Sequence, residues 1–294
     1  MKVVLIGANG QLGTDLHRVL QNRGVTVIPT THRELDIRDA AQVSEAVAKT
    51  QPDVVVNTAA FHKVEECETR PALAFEVNAL AARNLAQTCS RAGCALVHFS
   101  TDYVFGGKQR EPYSEEDLPH PLSVYGASKL AGEHLIAAAC ERHLIIRTCG
   151  LYGVAGSSGK GGNFVETMLK KAAQGVPIKV VNDQVLTPTF TADLAETVCQ
   201  LIQMKAFGLY HVTAEGQCSW YEFARAIFEL EKLTVDLTPV STAEFPSPVA
   251  RPAYSVLSKQ KLRALGLAMP AWEDGLARYL AARRTKDAPG AAIS

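Results

Sequence analysis

Short apolar runs alternate with longer amphipathic stretches through the first half of the chain. Residues 3–6 form an uninterrupted apolar run, and residues 25–28 and 53–56 are apolar except for Thr26 and Asp53. Apolar runs of this length are typical of strands that are buried on both faces of a parallel sheet. Between them, residues 39–50 have the composition of a helix, and Pro71 begins another whose apolar side chains recur at helical spacing. This alternation predicts repeated βαβ units.

The alternation becomes less regular beyond Gly150. Before that point, residues 95–99 and 144–146 predict two more strands. Beyond it we predict helices over 164–173 and 191–204, a strand over 209–212 and a last helix from about Ala271. The fold class is therefore α/β: a Rossmann-type doubly wound parallel sheet over residues 1–150, completed by about 178–207. A smaller C-terminal α/β portion, residues 151–177 and 208–294, would bind the substrate.

Three glycines with a regular spacing follow the first predicted strand. Gly7 lets the chain turn sharply, Gly10 lets the backbone approach a pyrophosphate, and Gly13 lets the next helix pack closely on the strand. Phosphate groups would bind the free N–H groups at the N-terminus of that helix. A strand, a glycine-rich turn and a helix in this order predict a dinucleotide-binding unit. The G-x-x-G-x-x-G spacing points to one particular branch of that fold.

Tyr125 and Lys129 are four residues apart, a spacing that puts both side chains on one face of a helix. An ammonium near a phenol stabilises the phenolate and lowers the phenol pKa from about 10 towards neutrality, where it can exchange a proton with a carbonyl or an alcohol. Ser100 and Thr101 come at the carboxyl end of the fourth predicted strand, where parallel sheets bind ligands. Thr101 could therefore bind a substrate carbonyl beside Tyr125. The alternative is that both hydroxyls only cap the loop.

The overall composition excludes several classes of partner. The 294 residues include 30 Lys or Arg and 30 Asp or Glu, and this neutral balance favours neither nucleic acid nor an anionic membrane as partner. No run reaches the roughly 18 apolar residues of a membrane-spanning helix. The seven cysteines lack C-x-x-C spacing, and no zinc-ligand pattern is present. We therefore predict reduced thiols, no metal site and a cytoplasmic protein.

Two segments are predicted to lack regular structure. Residues 153–162 contain five glycines and two serines. This loop does not match a phosphate-binding P-loop, because Lys160 is followed by Gly161 and not by Ser or Thr. It is either a flexible rim over a substrate cleft or a plain linker. Residues 287–294 are predicted to form a frayed tail.

Several motifs occur together along the chain. They are the glycine loop at 7–13, Leu35-Asp36-Ile37, Asn57-Thr58-Ala59-Ala60-Phe61, Ser100-Thr101-Asp102-Tyr103-Val104-Phe105, Tyr125-x-x-x-Lys129, Asn163-Phe164-Val165, Asp183-Gln184, Thr187-Pro188-Thr189 and Arg251-Pro252. This combination resembles the extended short-chain dehydrogenase/reductases and, more narrowly, the dTDP-4-dehydrorhamnose reductase family, from Met1 to about Leu280. The resemblance implies reduction of the 4-keto group of a nucleotide-linked 6-deoxy sugar, dTDP-4-dehydro-L-rhamnose to dTDP-L-rhamnose, by hydride transfer from NAD(P)H.

The resemblance also implies roles for individual residues. Tyr125 would protonate the C4 oxygen of the sugar, and Lys129 would lower the tyrosine pKa and hold the nicotinamide ribose. Thr101 would position the keto oxygen, and Asp102 would border the sugar. The residues implied to bind the cofactor come from the glycine loop and from two later segments. They are Gly7, Gly10, Gln11, Leu12, Asp36, Ile37, Ala59, Ala60 and Phe61. Asn163, Phe164 and Arg251 would bind the nucleotide diphosphate, for which an arginine fork is well suited.

The sequence departs from the expected patterns at two places. The family usually has a tryptophan beside the sugar where this chain has Gly150, so the sugar pocket is predicted to be wider or filled from elsewhere. The second predicted strand ends without the acidic residue that binds an adenosine ribose diol. Thr31 and Arg33 occupy that region and can accommodate a 2′-phosphate, which favours NADPH over NADH. The alternative is that Arg33 simply points into solvent.

Two other functions remain open. An epimerase or dehydratase of the same superfamily would keep NAD⁺ bound and recycle it; dehydratases, however, commonly place an Asp-Glu pair where this chain has Asp102 and Tyr103. A non-catalytic regulatory subunit would keep the nucleotide site and bind a partner protein, but the intact set Thr101, Tyr125 and Lys129 argues against it. The resemblance is also compatible with a homodimer.

Overall fold

The computed structural model describes residues 1–156 and 162–287. In chain order its strands are β1 (Lys2–Ile6), β2 (Thr26–Thr30), β3 (Val54–Asn57), β4 (Ala95–Thr101), β5 (His143–Thr148), β6 (Leu151–Tyr152), β7 (Ile178–Val181), β8 (Val185–Leu186), β9 (Thr189–Phe190), β10 (Gly208–His211), β11 (Cys218–Ser219) and β12 (Leu237–Val240). Half of the predicted loop at 153–162, residues 157–161, lies outside the described residues, and so do residues 288–294 of the predicted tail.

The helices connect and cover these strands. They are α1 (Gln11–Asn22), α2 (Ala40–Thr50), α3 (Val64–Thr69), α4 (Pro71–Phe75), α5 (Ala82–Ala92), α6 (Val124–Ala139), α7 (Phe164–Ala173), α8 (Thr191–Gln203), α9 (Trp220–Leu230), α10 (Gln260–Ala264) and α11 (Trp272–Asp287). A π-helical turn (Glu76–Ala81) joins α4 to α5, and a 3₁₀ turn (Asp102–Val104) follows β4. Among the described residues, none of these helices has both the length and the apolar character needed to span a membrane.

One parallel sheet dominates the fold, with the strand order β2-β1-β3-β4-β5-β10. The chain leaves β1 towards one side for β2 and returns to the other side for β3, so the strand order reverses beside β1. Ligands of open α/β sheets bind at such a switch point, beyond the carboxyl ends of the strands. The predicted α/β fold with a parallel Rossmann-type sheet is confirmed.

The sheet is covered by helices on both faces, as the continuous apolar runs predict. In β1, Val3 and Leu5 point into one core and Val4 and Ile6 into the other, because successive side chains of a strand alternate between faces. The first core includes side chains of α1 and α8, and the second includes side chains of α2, α5 and α6. Helix α6 is therefore held against the sheet beside β4 and β5.

A smaller unit packs around an aromatic core. Tyr152, Phe190, Phe223 and Tyr279 stack or meet edge to face, with ring centroids 5.2–5.8 Å apart. Helices α7, α9 and α11 and the short pairs β7–β12 and β8–β11 surround this core. Helix α9, absent from the sequence prediction, begins with a capping box in which the Ser219 hydroxyl and the side chain of its third residue bond the turn reciprocally.

The predicted boundary between the two portions needs correction. β10 lies in the large sheet, where Leu209 pairs with Ile145 of β5, although residues 208–294 were predicted to belong to the substrate-binding portion. Conversely, β7 pairs with β12 in the smaller unit, although about 178–207 were predicted to complete the Rossmann domain. Helix α8 does pack on α1 beneath the sheet, as that prediction requires. Strand pairing fixes the boundary, and pairing between distant segments is not encoded in local hydrophobic periodicity.

Candidate active site

The turns after β1 and β3 meet at the switch point of the sheet. Gly7 has φ +78°, and a Cβ added there would lie 2.6 Å from Oγ1 of Thr58 and 3.2 Å from the backbone nitrogen of Ala59. The Thr58 hydroxyl donates to the carbonyl oxygen of Ile6 at 2.8 Å. A side chain at position 7 would therefore clash with the turn after β3, so only glycine lets the two turns approach this closely. We call these two turns the cradle, and their close backbone approach is what a dinucleotide site needs.

The N-terminus of α1 faces the same cradle. Gly10 is its N-cap, and the backbone N–H groups of Gln11, Leu12 and Gly13 come in the first turn, where a helix provides them with no acceptor. A Cβ on Gly13 would overlap the carbonyl oxygen of Gly7, so only glycine allows this close packing. Leu12 is buried in the core and can offer a ligand only its backbone. The N-terminus is thus arranged to bind phosphate oxygens.

Gln11 adds a polar side chain at this edge. Its Nε2 donates to the carbonyl oxygen of Leu151 at 3.2 Å, which ties α1 to β6. Its Oε1 is buried and has no hydrogen-bond partner among the described residues. Because a buried acceptor without a donor is costly, this atom is consistent with a site that a ligand completes.

We expect Gly7→Ala to abolish tight binding of NADPH. The matched control is Gly24→Ala, because Gly24 has φ +72° but nothing lies within 4 Å of its added Cβ. Both substitutions carry a left-handed backbone penalty of about 1–2 kcal/mol, whereas only the first places a methyl group in the cradle. Fluorescence titration with NADPH should show at least a tenfold loss of affinity for Gly7→Ala and little change for Gly24→Ala. Equal losses would contradict the assignment of the cradle.

The segment after β2 carries both charges and hydroxyls. Thr31 donates its backbone N–H and its hydroxyl to Glu34, at 2.8 and 2.9 Å, and these bonds hold the pKa of Glu34 below its ordinary value. Asp36 is paired with Arg38, whose guanidinium lowers the pKa of Asp36 to about 2. Both carboxylates therefore have partners within the protein. Arg33 is exposed beside them.

The segment after β3 is fixed to the helix that carries the predicted tyrosine and lysine. The Phe61 N–H donates to Oδ1 of Asn78 at 2.9 Å, and Nδ2 of Asn78 donates to the Phe61 carbonyl at 2.9 Å and to Oγ of Ser128 at 3.0 Å. Asn78 lies in the π-helical turn, a feature common at functional sites. Ala59, Ala60 and Phe61 thereby line the space between the switch point and α6. Ile37, by contrast, is buried in the core.

Helix α6 brings Tyr125 and Lys129 to the carboxyl edge of the sheet. Ser123 caps it by accepting from the Gly126 N–H at 3.2 Å. A Cβ on Gly126 would overlap the carbonyl oxygen of Tyr103, so the start of the helix lies directly against the 3₁₀ turn. The Thr101 hydroxyl at the end of β4 hydrogen-bonds the phenol of Tyr125. The structure thus places the predicted pair and Thr101 together.

The predicted lowering of the Tyr125 pKa is wrong for this structure. Burial raises the pKa of the Tyr125 phenol above its ordinary value, the Thr101 hydrogen bond lowers it, and the carboxylate of Asp102 raises it further. The Lys129 amine instead lies 3.0 Å from Nε2 of His98. Helical spacing therefore predicted the shared face correctly, but it could not predict that a buried histidine takes the lysine's closest contact.

Asp102 lies behind the hydroxyl of Thr101 and is only 3% exposed. It accepts from Oγ1 of Thr101 at 3.0 Å and from the thiol of Cys149 at 2.9 Å. Burial raises the pKa of Asp102, while these hydrogen bonds lower it. Its carboxylate thus orients Thr101 from the protein side.

A buried polar group beneath the site was missed in the sequence analysis. Glu133 on α6 pairs with Arg147 of β5, Nη2 to Oε2 at 2.7 Å, and accepts a hydrogen bond from Ser100 of β4. His211 of β10 lies 3.4 Å from Nη1 of the same arginine. These contacts fix the catalytic helix to three strands. The available signal was a charged or imidazole side chain inside each apolar strand pattern.

The three residues predicted to bind the nucleotide diphosphate differ in whether their polar groups are already used within the protein. Asn163 caps α7 and donates Nδ2 to the Gly153 carbonyl at 3.2 Å and to the Tyr279 hydroxyl at 3.3 Å, so its amide is used within the protein. Phe164 packs on Trp220 with a centroid distance of 4.5 Å. Arg251 pairs with Glu65 of α3 at 2.6 Å, and its buried Nε has no partner among the described residues. Of the three predicted residues, Arg251 keeps a free donor.

Gly150 replaces a large side chain for a reason visible in the backbone. Its φ is +56°, a conformation that disfavours other residues, and an added Cβ would lie 3.1 Å from Cα of Pro188 and 3.2 Å from Cδ1 of Leu186. The 186–188 segment therefore occupies the space that a side chain at position 150 would need. That the sugar pocket is wider at this place or filled from elsewhere stays a prediction.

The chain is similar over nearly its whole length to proteins of known family. The family model described as the RmlD substrate binding domain matches residues 1–285. The spore coat polysaccharide biosynthesis protein SpsK of Bacillus subtilis is 43% identical over 282 residues, 96% of this chain and 98% of that protein. A dTDP-4-dehydrorhamnose reductase structure from Clostridium acetobutylicum is 40% identical with a TM-score of 0.92, covering 97% of this chain and 100% of that one. Another, from Bacillus anthracis in complex with NADP, is 40% identical with a TM-score of 0.91, covering 96% and 99%.

Proposed function

Because the chain belongs to the RmlD substrate binding domain family, we propose that it reduces the 4-keto group of a nucleotide-linked 6-deoxy sugar. The family resemblance that the motifs predict is confirmed. The specific reaction is dTDP-4-dehydro-L-rhamnose to dTDP-L-rhamnose, with NADPH as the hydride donor.

The contact between Thr101 and Tyr125 carries this proposal. The two hydroxyls are hydrogen-bonded at the carboxyl edge of β4, beside the switch point. A keto oxygen placed between them would accept from the phenol, and it would accept from Thr101 once that hydroxyl proton turns from Asp102 towards the substrate. The raised pKa of Tyr125 keeps the phenol protonated near neutral pH, which is the form that a proton donor needs. The reductive direction therefore suits the resting state of the site.

Each residue of the site has one task in this mechanism. When bound, the reduced nicotinamide would supply the hydride for C4 of the sugar. Tyr125 gives its phenolic proton to the C4 oxygen, and the Thr101 hydroxyl holds that oxygen in place. Asp102 orients Thr101 from behind. The glycine cradle and the first turn of α1 would hold the dinucleotide phosphates.

The charges after β2 support NADPH as the preferred cofactor. Glu34 is held by Thr31, so its carboxylate is turned away from the role of a ribose-diol acceptor. Arg33 is exposed and can reach a 2′-phosphate, with which its guanidinium would form charge-assisted hydrogen bonds. A solved relative at 40% identity is in complex with NADP.

Arg33→Ala should weaken NADPH binding and leave NADH binding unchanged. An exposed arginine–phosphate contact is worth about 1 kcal/mol. We therefore expect the NADPH Kd to rise by a factor of about 5–10. The control is Arg91→Ala at the end of α5, which removes the same charge at the opposite edge of the sheet. Titrations with both cofactors decide the matter: an unchanged NADPH Kd would place Arg33 in solvent.

A substrate panel tests the proposed reaction. The purified protein is mixed with dTDP-, UDP- and GDP-linked 4-keto-6-deoxy sugars, with NADPH and NADH in parallel, and the reduced nicotinamide absorbance is followed. We expect steady oxidation of NADPH with the dTDP-linked sugar. Absence of turnover with every sugar would contradict a reductase, and release of NAD⁺ from the denatured protein would favour an epimerase or dehydratase instead.

Cytoplasmic location and a homodimer remain predictions. Light scattering coupled to size-exclusion chromatography would distinguish a dimer from the 31.7 kDa chain.

A further inference from the structure

Three buried side chains form a row from β3 through β4 to α6. Nδ2 of Asn57 lies 3.1 Å from Nδ1 of His98, and Nε2 of His98 lies 3.0 Å from Nζ of Lys129. Each of the three residues is 1% exposed. The strand register sets the first contact, because Asn57 and His98 are direct partners in the β3–β4 pairing. The proposed reaction assigns no task to Asn57 or His98.

Asn57 determines which nitrogen of His98 carries the proton. The backbone N–H of Ala59 donates to Oδ1 of Asn57 at 3.1 Å, so the carbonyl end of the amide is fixed towards Ala59. The NH₂ end therefore faces His98 and must donate to Nδ1. A neutral imidazole has one donor and one acceptor nitrogen. If Nδ1 accepts, the proton lies on Nε2.

This tautomer restricts the charge on Lys129. An ammonium group has three donors and no acceptor, so it cannot form a hydrogen bond with a protonated Nε2. A neutral amine has a lone pair and accepts that bond. All hydrogen bonds of the row are made only when Lys129 is neutral. If Lys129 is charged, His98 must change tautomer, and its Nδ1–H donor then faces the NH₂ donor of Asn57.

We infer that His98 is a positioning residue which, held by Asn57 as the Nε2–H tautomer, donates to Lys129 and favours the neutral amine over the ammonium. The inference deepens the proposed reductase function and rests on it for its catalytic meaning. Since an ammonium near Tyr125 favours the phenolate, His98 controls how readily the phenol can give up its proton. Lys129 therefore becomes charged only when His98 changes its tautomer.

The other groups around Lys129 allow a neutral amine. Glu133 on the same helix attracts positive charge, but its carboxylate is already engaged by Arg147 of β5. Burial lowers the pKa of Lys129 to about 8, against the opposing effect of Glu133. Burial, and then Lys129 itself, lower the pKa of His98 well below its ordinary value, so the imidazole is neutral.

Further titratable groups near the site act on Tyr125 and not on Lys129. The Tyr125 phenol on α6 has a raised pKa and is protonated near neutral pH. Cys67 on α3 and Asp102 in the 3₁₀ turn act on this phenol and are not among the groups that shift the pKa of Lys129.

The tautomer can be read directly from the unmodified full-length chain. Long-range ¹H–¹⁵N spectra of ¹⁵N-histidine protein, recorded well above the Lys129 pKa of about 8 so that the amine is neutral, distinguish protonated from unprotonated ring nitrogens. The signals of His98, one of eight histidines, are assigned by their loss in His98→Gln. We expect Nε2 to be protonated and Nδ1 to be unprotonated. The opposite tautomer, or a doubly protonated ring, would overturn the inference without any assay of turnover.

Two variants should raise the pKa of Lys129 for the same reason. Asn57→Asp keeps an acceptor for the Ala59 N–H but offers His98 a carboxylate, which favours Nδ1–H and leaves Nε2 free to accept from an ammonium. His98→Gln offers an amide oxygen to the ammonium without adding charge. Titration of the ¹³Cε signal, assigned by its loss in Lys129→Met, should show a midpoint near pH 8 in the parent and about one pH unit higher in each variant.

The control for added charge is Asn22→Asp, at the exposed end of α1, which should leave the midpoint unchanged. Midpoints that stay the same or fall in both His98→Gln and Asn57→Asp would overturn the inference. Because these readings need no substrate, they stand apart from the proposed function: a chain inactive in the substrate panel but with the expected tautomer and midpoints would refute only the reductase assignment. In an active chain, the alkaline limb of kcat/KM should move upwards with the midpoint.

Discussion

Tyr125→Phe is expected to lower kcat by about a thousandfold while leaving the NADPH Kd within about a factor of two. Loss of a positioned proton donor typically removes a factor of 10² to 10⁴ in rate. The substitution removes only the hydroxyl group of Tyr125. The ring keeps its edge-to-face contact with Tyr103, whose ring centroid is 6.0 Å away. The glycine cradle is untouched by the substitution. Stopped-flow reduction and NADPH fluorescence titration measure the two quantities separately.

A matched control identifies the phenol as the cause. Tyr210→Phe in β10 also removes one phenolic hydroxyl and leaves a ring that packs in the sheet core under the amine of Lys261, 4.4 Å from the ring centroid. We expect this variant to turn over at close to the parent rate. A Tyr125→Phe protein that retained a tenth or more of the parent kcat would show that another group delivers the proton. The Thr101 hydroxyl would then be the first to test.

The parts of the site that follow local rules could be predicted from sequence. Gly7 and Gly13 lie in the turn between a strand and a helix. The pattern of glycines in such a turn is local, because it spans only a few residues of the chain. Tyr125 and Lys129 share a helix face because of their spacing alone. These features need no knowledge of how distant segments meet.

The remaining parts depend on strand register, which the sequence pattern does not contain. Asn57 meets His98, and Ser100 lies opposite Arg147, because β3, β4 and β5 are paired in that alignment. The same limit explains the displaced boundary at β10. The Tyr125 pKa also depends on the tertiary structure: the spacing showed a lysine near a phenol, but burial of the phenol raises its pKa, and the lysine amine contacts His98.

Arg147→Ala should be among the most destabilising single substitutions in the chain. Arg147 and Glu133 are only 3% and 6% exposed in their side chains, and the pair joins α6 to β5. Removing the arginine leaves a buried carboxylate with the Ser100 hydroxyl but no cation, and breaking such a pair typically costs 3–5 kcal/mol, so we expect a loss of about 4 kcal/mol. It also removes the contact of the guanidinium with the Phe105 ring, 5.1 Å away.

Urea unfolding followed by the fluorescence of the two tryptophans measures this loss. The control is Arg225→Ala, which breaks the exposed Arg225–Glu229 pair of α9 at 3.5 Å and should cost less than about 1 kcal/mol. The double variant Arg147→Met with Glu133→Leu removes both charges and should recover much of the stability, because the cost comes from an uncompensated buried charge. If the double variant were as unstable as Arg147→Ala, packing and not charge would hold α6 to the sheet. If instead the double variant regains stability, its turnover shows whether Tyr125 needs the Arg147–Glu133 ion pair to stay aligned with Thr101.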